Sequence, residues 1–223
     1  MSGGLVSVIM PAYDEETFIA EALGSVLTQT YQPLEIIVVD DGSGDRTAEI
    51  AAAHDVHVLR RTHQGAAAAC NAGLQLAAGD YWMVFDADDV MPPDRLVCQV
   101  AHLQAHPELD IVLGLTEAFV TPGEPQPEHY NPAWDAGPFT ACTGTMLARR
   151  ALLDRVGGFD EARALCYDLD WLARAKDAGA RAGQVDHVVL RYRIHGHNVT
   201  SDRRAVNLAM LKVLRESLQR RAP

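Results

Sequence analysis

Carboxylates grouped where apolar runs end are the residues of this chain whose types and spacing could do chemistry. Asp86-Ala87-Asp88 directly follows the apolar run Tyr81–Phe85, and Asp89 extends the cluster. Side chains two residues apart at a strand end point to the same side, so Asp86 and Asp88 could share one hard cation. Asp40-Asp41 ends a second apolar run and brings the group to five acids. Like charges at this density ionise together only when a cation neutralises them, so the pattern predicts a divalent metal site.

The elements that must position these clusters alternate between strand and helix patterns. Short apolar runs typical of buried strands are separated by amphipathic or alanine-rich stretches typical of helices. The predicted strands are Leu5–Met10, Leu34–Val39, Val56–Leu59 and Tyr81–Phe85, and the predicted helices are Glu16–Gln29, a helix from Ser43 or Asp45 through Ala53, Gly65–Ala78, and one from Pro92-Pro93 to His106. This order predicts a parallel sheet with helices on both faces, whose ligands bind beyond the carboxyl ends of the strands. Three acidic clusters fall at those ends, and Tyr13-Asp14-Glu15 is the third of them. One cluster alone would be explained by the ordinary use of Asp to end strands, but three at neighbouring strand ends indicate a site.

The second half of the chain has a less regular pattern. The predicted strands are Ile111–Val120, Thr145–Ala148 and Val188–Arg193, and the predicted helices are Arg150–Val156, Asp168–Gly179 and Ala205–Leu218. Residues Thr121–Pro138 contain five prolines and two glycines, which predicts a mobile loop over the site. No linker divides the chain, so we expect one domain over residues 1–223.

Composition excludes several classes of protein. The 223 residues are 48% hydrophobic and 22% charged, the balance of a soluble domain with a full core. The net charge of −11 argues against a nucleic-acid partner. No apolar run approaches the roughly 20 residues of a membrane span. The N-terminus has no basic signal segment, and the four scattered cysteines are typical of reduced thiols. We therefore expect a cytoplasmic location, with the inner face of the membrane as an alternative.

Six segments of the sequence together resemble the family 2 glycosyltransferases with the GT-A fold. They are SVIMPAYDEE, EIIVVDDGSGDRT, CNAGLQLAAGDYWMVFDADD, GGFDE, YDLDWLARA and YRIHGHNVT. The resemblance implies an α/β fold in which a Rossmann-like parallel sheet, with helices on both faces, merges with a smaller mixed region. Residues 1–106 would bind the nucleotide sugar, and residues 107–223, with the C-terminal helix, would bind the acceptor. The implied activity is a metal-dependent, inverting transfer of a sugar from a nucleoside diphosphate, UDP being preferred.

The same resemblance implies the roles of individual residues. The implied nucleotide-binding residues are Pro11, Ala12, Tyr13, Glu15, Asp41, Asp86 and Ala87; the metal ligands are Asp88 and His195, with Asp86 on the ribose or the metal; the general base is Asp168; and the acceptor contacts are Gly144, Asp170 and Trp171. Inversion needs a carboxylate opposite the leaving group, and Mn²⁺ or Mg²⁺ would stabilise the departing diphosphate. A histidine ligand favours Mn²⁺. The acceptor stays open among a glycan, a lipid-linked glycan and a small molecule, and a homodimer is one alternative for the assembly.

Three positions depart from the family pattern, and two other functions stay open. Asp14 replaces a common Asn, Cys70 replaces an Arg that could help to hold the diphosphate, and Tyr167 replaces a Glu before Asp168. Asp168 also lies where an N-cap residue of the predicted helix would lie. The first alternative is a haloacid-dehalogenase-type phosphatase, with Asp86 as nucleophile, Asp88 as acid/base and Lys176 or Lys212 on the phosphoryl group. The second is a non-catalytic module that binds nucleotide sugars.

Overall fold

The computed structural model describes residues 3–140 and 143–221, which form one mixed sheet with helices packed around it. The strands are β1 (Val6–Ala12), β2 (Leu34–Asp40), β3 (His57–Arg60), β4 (Tyr81–Val84), β5 (Ile111–Phe119), β6 (Phe139–Thr140), β7 (Leu147–Arg149) and β8 (Ala182–Arg193). The helices are α1 (Ile19–Leu27), α2 (Thr47–Ala52), α3 (Ala66–Leu76), α4 (Arg95–Ala105), α5 (Arg150–Val156), α6 (Tyr167–Asp177) and α7 (Arg203–Arg220). No helix of the described ranges is both long and apolar enough to cross a bilayer.

The sheet joins a parallel half to a mixed half. Its strand order is β3-β2-β1-β4-β7-β5-β6, with β8 paired to β5. The strands β1 to β4 pair in parallel, β7 runs antiparallel to both β4 and β5, and β8 runs parallel to β5. The predicted α/β fold, a parallel sheet that merges with a mixed region, is confirmed. The three-residue strand β7 is the element through which the two halves share one sheet.

The parallel half forms because its strands are apolar on both faces. Along β1, Val8 and Met10 belong to one buried cluster and Ile9 to the other, so successive side chains fill the cores on opposite faces of the sheet. Helix α3 covers the second face at short range. A Cβ at Gly73 would overlap the side chain of Ile9, so only glycine allows this approach.

Some predicted boundaries in the second half are wrong. The strand β8 begins at Ala182 rather than Val188. Its first half pairs with β5, but only Val185 is buried there, so this half forms no apolar run. Helix α6 begins at Tyr167 rather than with Asp168 as its cap. Cys166 takes that place in the left-handed conformation, and its carbonyl accepts the N–H of Asp170 at 2.9 Å.

The segment between β5 and β6 has little regular structure. Its one element is a turn of 3₁₀-helix at Pro132–Ala136, which agrees with the predicted loop. Thr121, at the start of this segment, accepts a hydrogen bond from Arg193 at 2.7 Å. The mobility of the loop and its position over the site stay predictions.

Candidate functional site

The carboxyl ends of the first strands lie at one level of the sheet. Ala12 of β1 pairs with Asp40 of β2, and Asp40 pairs with Arg60 of β3. The residues that follow, Tyr13 and Asp41, therefore emerge side by side at the same edge. The acidic segment after β4 emerges at this edge too, since β4 is the parallel neighbour of β1 on its other side. The strand order thus places the three acidic clusters together.

The segment after β4 is a turn that gathers three carboxylates. One oxygen each from Asp86, Asp88 and Asp89 lies within 4.8 Å of the other two. Strand alternation predicts that Asp86 and Asp88 point to the same side, but β4 already ends at Val84. The two residues lie in a turn instead, in which the N–H of Asp89 donates to the carbonyl of Asp86 at 3.4 Å. Asp89 is buried and accepts the backbone N–H of Arg193 at 2.8 Å. Asp86 and Asp88 are the members left for a ligand.

Asp88 is held by the loop that follows β8. Its Oδ2 lies 2.9 Å from Nε2 of His195 and 3.4 Å from the side-chain amide of Asn198. Asn198 in turn accepts the backbone N–H of His195 at 2.7 Å, and the His195 ring packs on Phe18 with centroids 4.7 Å apart. The two residues implied as metal ligands, Asp88 and His195, are therefore in direct contact, although 107 positions separate them in the chain.

Beneath this contact lies Arg193, which the sequence did not single out for this place. Its side chain is 2% exposed and lies over the rings of Phe18 and Phe119. It donates to the carbonyl of Asp88 at 2.7 Å and to the carboxylate of Glu21 at 2.6 Å. Its donors are already bound within the chain, so Arg193 is not available to a diphosphate. Its function is to hold the acidic turn.

The electrostatics of the acidic turn favour a bound cation. Burial, with Asp88 and Asp86 close by, raises the pKa of Glu15 to about 8. Asp86 remains accessible to solvent, but it stands in a cleft where protein displaces much of the surrounding water. This enclosure, together with Asp88 and Asp168, raises the pKa of Asp86 to about 7. Carboxylate oxygens with one imidazole form a donor set suited to Mn²⁺ or Mg²⁺. The residues therefore fit the predicted metal.

The acids at the end of β2 are different, because the chain neutralises them itself. Asp40 is buried, accepts the N–H of Ser43 at 3.1 Å and lies 3.0 Å from the guanidinium of Arg60. Asp41 is 2% exposed and lies 3.2 Å from the guanidinium of Arg61. The prediction that all five acids form one group in need of a cation is therefore wrong. The cation-demanding group is the turn after β4 together with Glu15.

Asp41 organises the start of α3. Its carboxylate accepts the backbone N–H groups of Gln64 and Gly65 at 3.1 and 2.7 Å, and Gly65 adopts a φ of +96°. A carboxylate in this place satisfies unpaired N–H groups and favours the helix dipole. The direct contact between Asp41 and a nucleotide base stays a prediction, and the structure adds a second function as the support of the pocket wall.

Tyr13 and His63 form the exposed aromatic surface of this edge. Tyr13 is 46% exposed, and its ring centroid lies 4.2 Å from that of His63, whose Nδ1 lies 3.1 Å from the carboxylate of Asp41. Ala12 and Ala87 are both 4% exposed, so they line the edge mainly through their backbone, and Pro11 is half-buried. His63 was not singled out from the sequence, because its neighbours in the chain carry no motif.

Asp168 faces the acidic turn across a small cleft. The cleft is lined by Val84, Asp86, Thr143, Gly144, Met146, Phe159, Tyr167 and Asp168. In the first turn of α6, Asp168 accepts a hydrogen bond from the hydroxyl of Thr143, and its other oxygen accepts the N–H of Leu169 at 2.8 Å. Thr143 is another residue that the sequence did not single out. The cleft thus brings a hydroxyl-supported carboxylate opposite Asp86.

The sequence profile of glycosyl transferase family 2 matches residues 7–157, which include the whole parallel half. The chain belongs to glycosyl transferase family 2. It is 31% identical to EpsE of Bacillus subtilis (strain 168) over 210 residues, covering 86% of this chain and 74% of EpsE. It is 36% identical to glycosyltransferase GlyG of Streptococcus pneumoniae over 116 residues, covering 49% of this chain and 38% of GlyG.

Solved glycosyltransferase structures share the fold of this family 2 enzyme. S. aureus TarS 1-349, in complex with UDP, superimposes with a TM-score of 0.73 at 22% identity, covering 96% of this chain and 64% of TarS 1-349. Mannosyltransferase PcManGT from Pyrobaculum calidifontis, in complex with GDP-Man and Mn²⁺, gives a TM-score of 0.75 at 24% identity, covering 97% of this chain and 64% of that one. The predicted GT-A fold is confirmed, and this glycosyltransferase spans about two thirds of both structures.

Membership of the family also decides against the phosphatase alternative. That hypothesis placed Lys176 or Lys212 on the phosphoryl group at Asp86. Lys176 lies in the last turn of α6, eight residues beyond Asp168, or about 12 Å along the helix axis at 1.5 Å per residue. Lys212 is an exposed residue of α7. The geometry gives Asp86 no lysine partner in α6.

Two of the implied acceptor contacts in this glycosyltransferase are wrong. Asp170 is 2% exposed and forms ion pairs with Arg174 at 2.9 Å and Arg163 at 3.3 Å. Trp171 is fully buried, packs edge-on against Trp82, and donates its Nε1–H to the carbonyl of Gly157 at 2.7 Å. Both point away from solvent because they lie on the side of α6 that faces the core. The third contact, Gly144, does line the cleft.

Two departures from the family pattern form one contact. Cys70 is fully buried in α3, and its Sγ lies 3.9 Å from the hydroxyl of Tyr167. Burial raises the pKa of both groups, so both are neutral at physiological pH. Cys70 therefore places no charge at the cleft, and Tyr167 contributes an aromatic wall that packs on Phe159 with centroids 5.4 Å apart.

Proposed function

We propose that this family 2 glycosyltransferase moves a sugar from a nucleoside diphosphate, UDP being preferred, to a hydroxyl acceptor with inversion at the anomeric carbon. The observation that carries the proposal is the cleft in which Asp168, held by Thr143, stands opposite Asp86 and the acidic turn. The structures that share the fold support a nucleotide-sugar donor, because they are complexes with UDP, with UDP-GlcNAc, and with GDP-Man and Mn²⁺.

Asp88 and His195 would hold the cation, with Asp86 beside them. A bound Mn²⁺ or Mg²⁺ would offset the negative charge that gathers on the departing nucleoside diphosphate. Asp88 and His195 need little movement to act together, because the hydrogen bond at 2.9 Å already joins them and Asn198 fixes the His195 loop. The imidazole favours Mn²⁺ over Mg²⁺.

The exposed edge at Tyr13 would bind the nucleotide. The ring of Tyr13 offers a flat surface for a base, and stacking of this kind contributes about 1–3 kcal/mol per base. His63 fixes the tilt of that ring and is itself held by Asp41. Pro11, Ala12 and Ala87 would contribute backbone contacts. Glu15, whose pKa is raised to about 8 by burial and by the nearby Asp88 and Asp86, would contact the nucleotide at this edge.

Asp168 would act as the general base. Its carboxylate takes the proton of the acceptor hydroxyl while the acceptor oxygen attacks the anomeric carbon and the bond to the diphosphate breaks. The Thr143 hydroxyl donates to one carboxylate oxygen and fixes its orientation, while the backbone of α6 holds the other. Gly144 lies beside Thr143 in the cleft wall and would contact the acceptor.

The test is release of nucleoside diphosphate from a panel of nucleotide sugars with Mn²⁺, Mg²⁺ or EDTA. We expect release with the correct donor, its loss in EDTA, and its loss in Asp88→Asn without a change in the thermal unfolding midpoint. Asp55→Asn is the matched control, because Asp55 is exposed and precedes β3 at the opposite end of the sheet.

Each contrary outcome has a clear meaning. Full activity of Asp88→Asn, or of the wild type in EDTA, contradicts the metal site. Tight binding of nucleotide sugars with no release, under any acceptor mixture, makes the chain a binding module. Release of phosphate from monoesters such as p-nitrophenyl phosphate would restore the phosphatase alternative.

A further inference from the structure

Helix α7 has one side that faces the protein and an outer side that is apolar and exposed. Its inner side packs on α6 through the buried residues Val213 and Ser217, and the Ser217 hydroxyl bonds the carboxylate of Asp177 at 3.1 Å. Its outer side carries four leucines that are 56–69% exposed, namely Leu208, Leu211, Leu214 and Leu218. Their spacing of three and four residues places them in one stripe along the helix. The fold does not need this stripe.

Cations without acidic partners accompany the exposed leucines. Residues 203–221 contain six Lys and Arg side chains and a single acid, in a chain whose net charge is −11. That acid, Glu216, is paired with Arg163. Arg204, Lys212 and Arg215 are exposed and have no ion pair within the described residues. On a helix of 3.6 residues per turn they lie among or beside the leucines. The outer side of α7 is therefore a leucine stripe with a local positive charge.

We propose that the outer side of α7 binds an anionic lipid surface. Leucines on one side of a helix, bordered by Lys and Arg, are typical of helices that lie in the headgroup region of a bilayer. The long basic side chains can reach the phosphates while their aliphatic parts lie over the leucines. A second copy of the chain fits less well, because the same face of both copies would bring unpaired cations together. The positive charge of this side of α7 is complementary to the negative charge of anionic lipid.

The test is flotation of the wild-type chain with vesicles. We expect binding to vesicles of phosphatidylcholine and phosphatidylglycerol at 7:3, weak binding to pure phosphatidylcholine, and a loss of binding at high salt. A variant with Arg204, Lys212 and Arg215 changed to Gln should bind on the order of a hundredfold more weakly, at about fivefold per cation.

A second variant tests the leucines and keeps the charge. Changing Leu211, Leu214 and Leu218 to Gln should weaken vesicle binding by at least about tenfold, with a nearly unchanged unfolding midpoint because each of these residues is more than half exposed. Leu76→Gln is the matched control, since Leu76 is 54% exposed but lies on α3. This variant should bind vesicles like the wild type.

Three results would overturn the proposal. The first is equal binding to neutral and anionic vesicles, or none to either. The second is equal loss of binding in Leu76→Gln. The third is that the wild-type chain is a dimer and binds no vesicle, while the leucine variant is a monomer. The stripe would then be an interface between copies of the chain.

Discussion

Replacing Asp168 by Asn tests the general base directly, because the change removes the charge and keeps the shape. The Asn oxygen can still accept the N–H of Leu169, and its amide can donate to the oxygen of Thr143, so both contacts of Asp168 survive. What the fold loses is a carboxylate in the first turn of α6, which contributes about 0.3–1 kcal/mol. At about 2–4 °C per kcal/mol for a chain of this size, the unfolding midpoint should fall by about 4 °C at most.

The chemistry should lose far more than the fold. Loss of a general base lowers turnover by about 10²–10⁴-fold, which is about 2.7–5.4 kcal/mol of barrier. We expect this loss in the kcat for release of nucleoside diphosphate, with a nearly unchanged Kd for the donor in calorimetry, because Asp168 is not placed on the nucleotide. Asp186→Asn is the matched control, since Asp186 is exposed on β8 outside the cleft.

Two outcomes would refute this reasoning in different ways. If Asp168→Asn keeps kcat within about threefold of the wild type, the base lies elsewhere. If the unfolding midpoint falls by more than about 10 °C together with activity, the main function of Asp168 is to hold Thr143 and the start of α6.

Further outcomes follow from the same cleft. Thr143→Val should lower kcat about tenfold, the value of one hydrogen bond to a charged group, with the donor KM unchanged, whereas Thr143→Ser should restore it; steady-state kinetics distinguishes the two. Tyr13→Ala should weaken UDP binding by about 1–3 kcal/mol in calorimetry without a change in unfolding midpoint, because its ring is half exposed. Asp41→Ala should lower both the UDP affinity and, by about 1–3 kcal/mol, the stability, because it removes the carboxylate that pairs with Arg61 and accepts the N–H of Gly65. The folded pKa of Glu15, about 8, exceeds its ordinary 4.5, so the folded state holds a proton that the unfolded state releases. The free energy of unfolding in EDTA should therefore fall as pH rises from about 4.5 to 8, and urea unfolding should show a smaller fall in Glu15→Gln.

The parallel half could be predicted from the sequence because each of its signals is local. Strands such as β1 are buried on both faces and read as continuous apolar runs, and the acidic clusters follow them directly. The prediction for β8 is too short because the first half of this strand has no continuous apolar run. Its side chains lie largely on exposed faces, and only Val185 is buried.

The parts of the site that sequence reasoning missed depend on contacts between distant residues. His63 and Thr143 lie outside the segments that resemble the family, and Arg193 lies inside one without a role assigned to it. Each acquires its function from a partner 22 to 105 positions away. Conversely, Asp170 and Trp171 lie next to Asp168 in the chain but turn into the core, because a helix rotates neighbouring side chains by about 100°. Proximity in the chain was therefore a poor guide to the acceptor contacts.

Arg193 has a consequence for the construction of chimeric enzymes. It belongs to the last strand of the second half, yet it binds the carbonyl of Asp88 and the carboxylate of Glu21 in the first half. A graft that replaces everything after residue 106 with the corresponding part of a relative would exchange this arginine together with His195, and so would disturb the acidic turn along with the acceptor side. A graft confined to residues 122–138 leaves both in place. New acceptor preferences should therefore be sought by transplanting that segment alone.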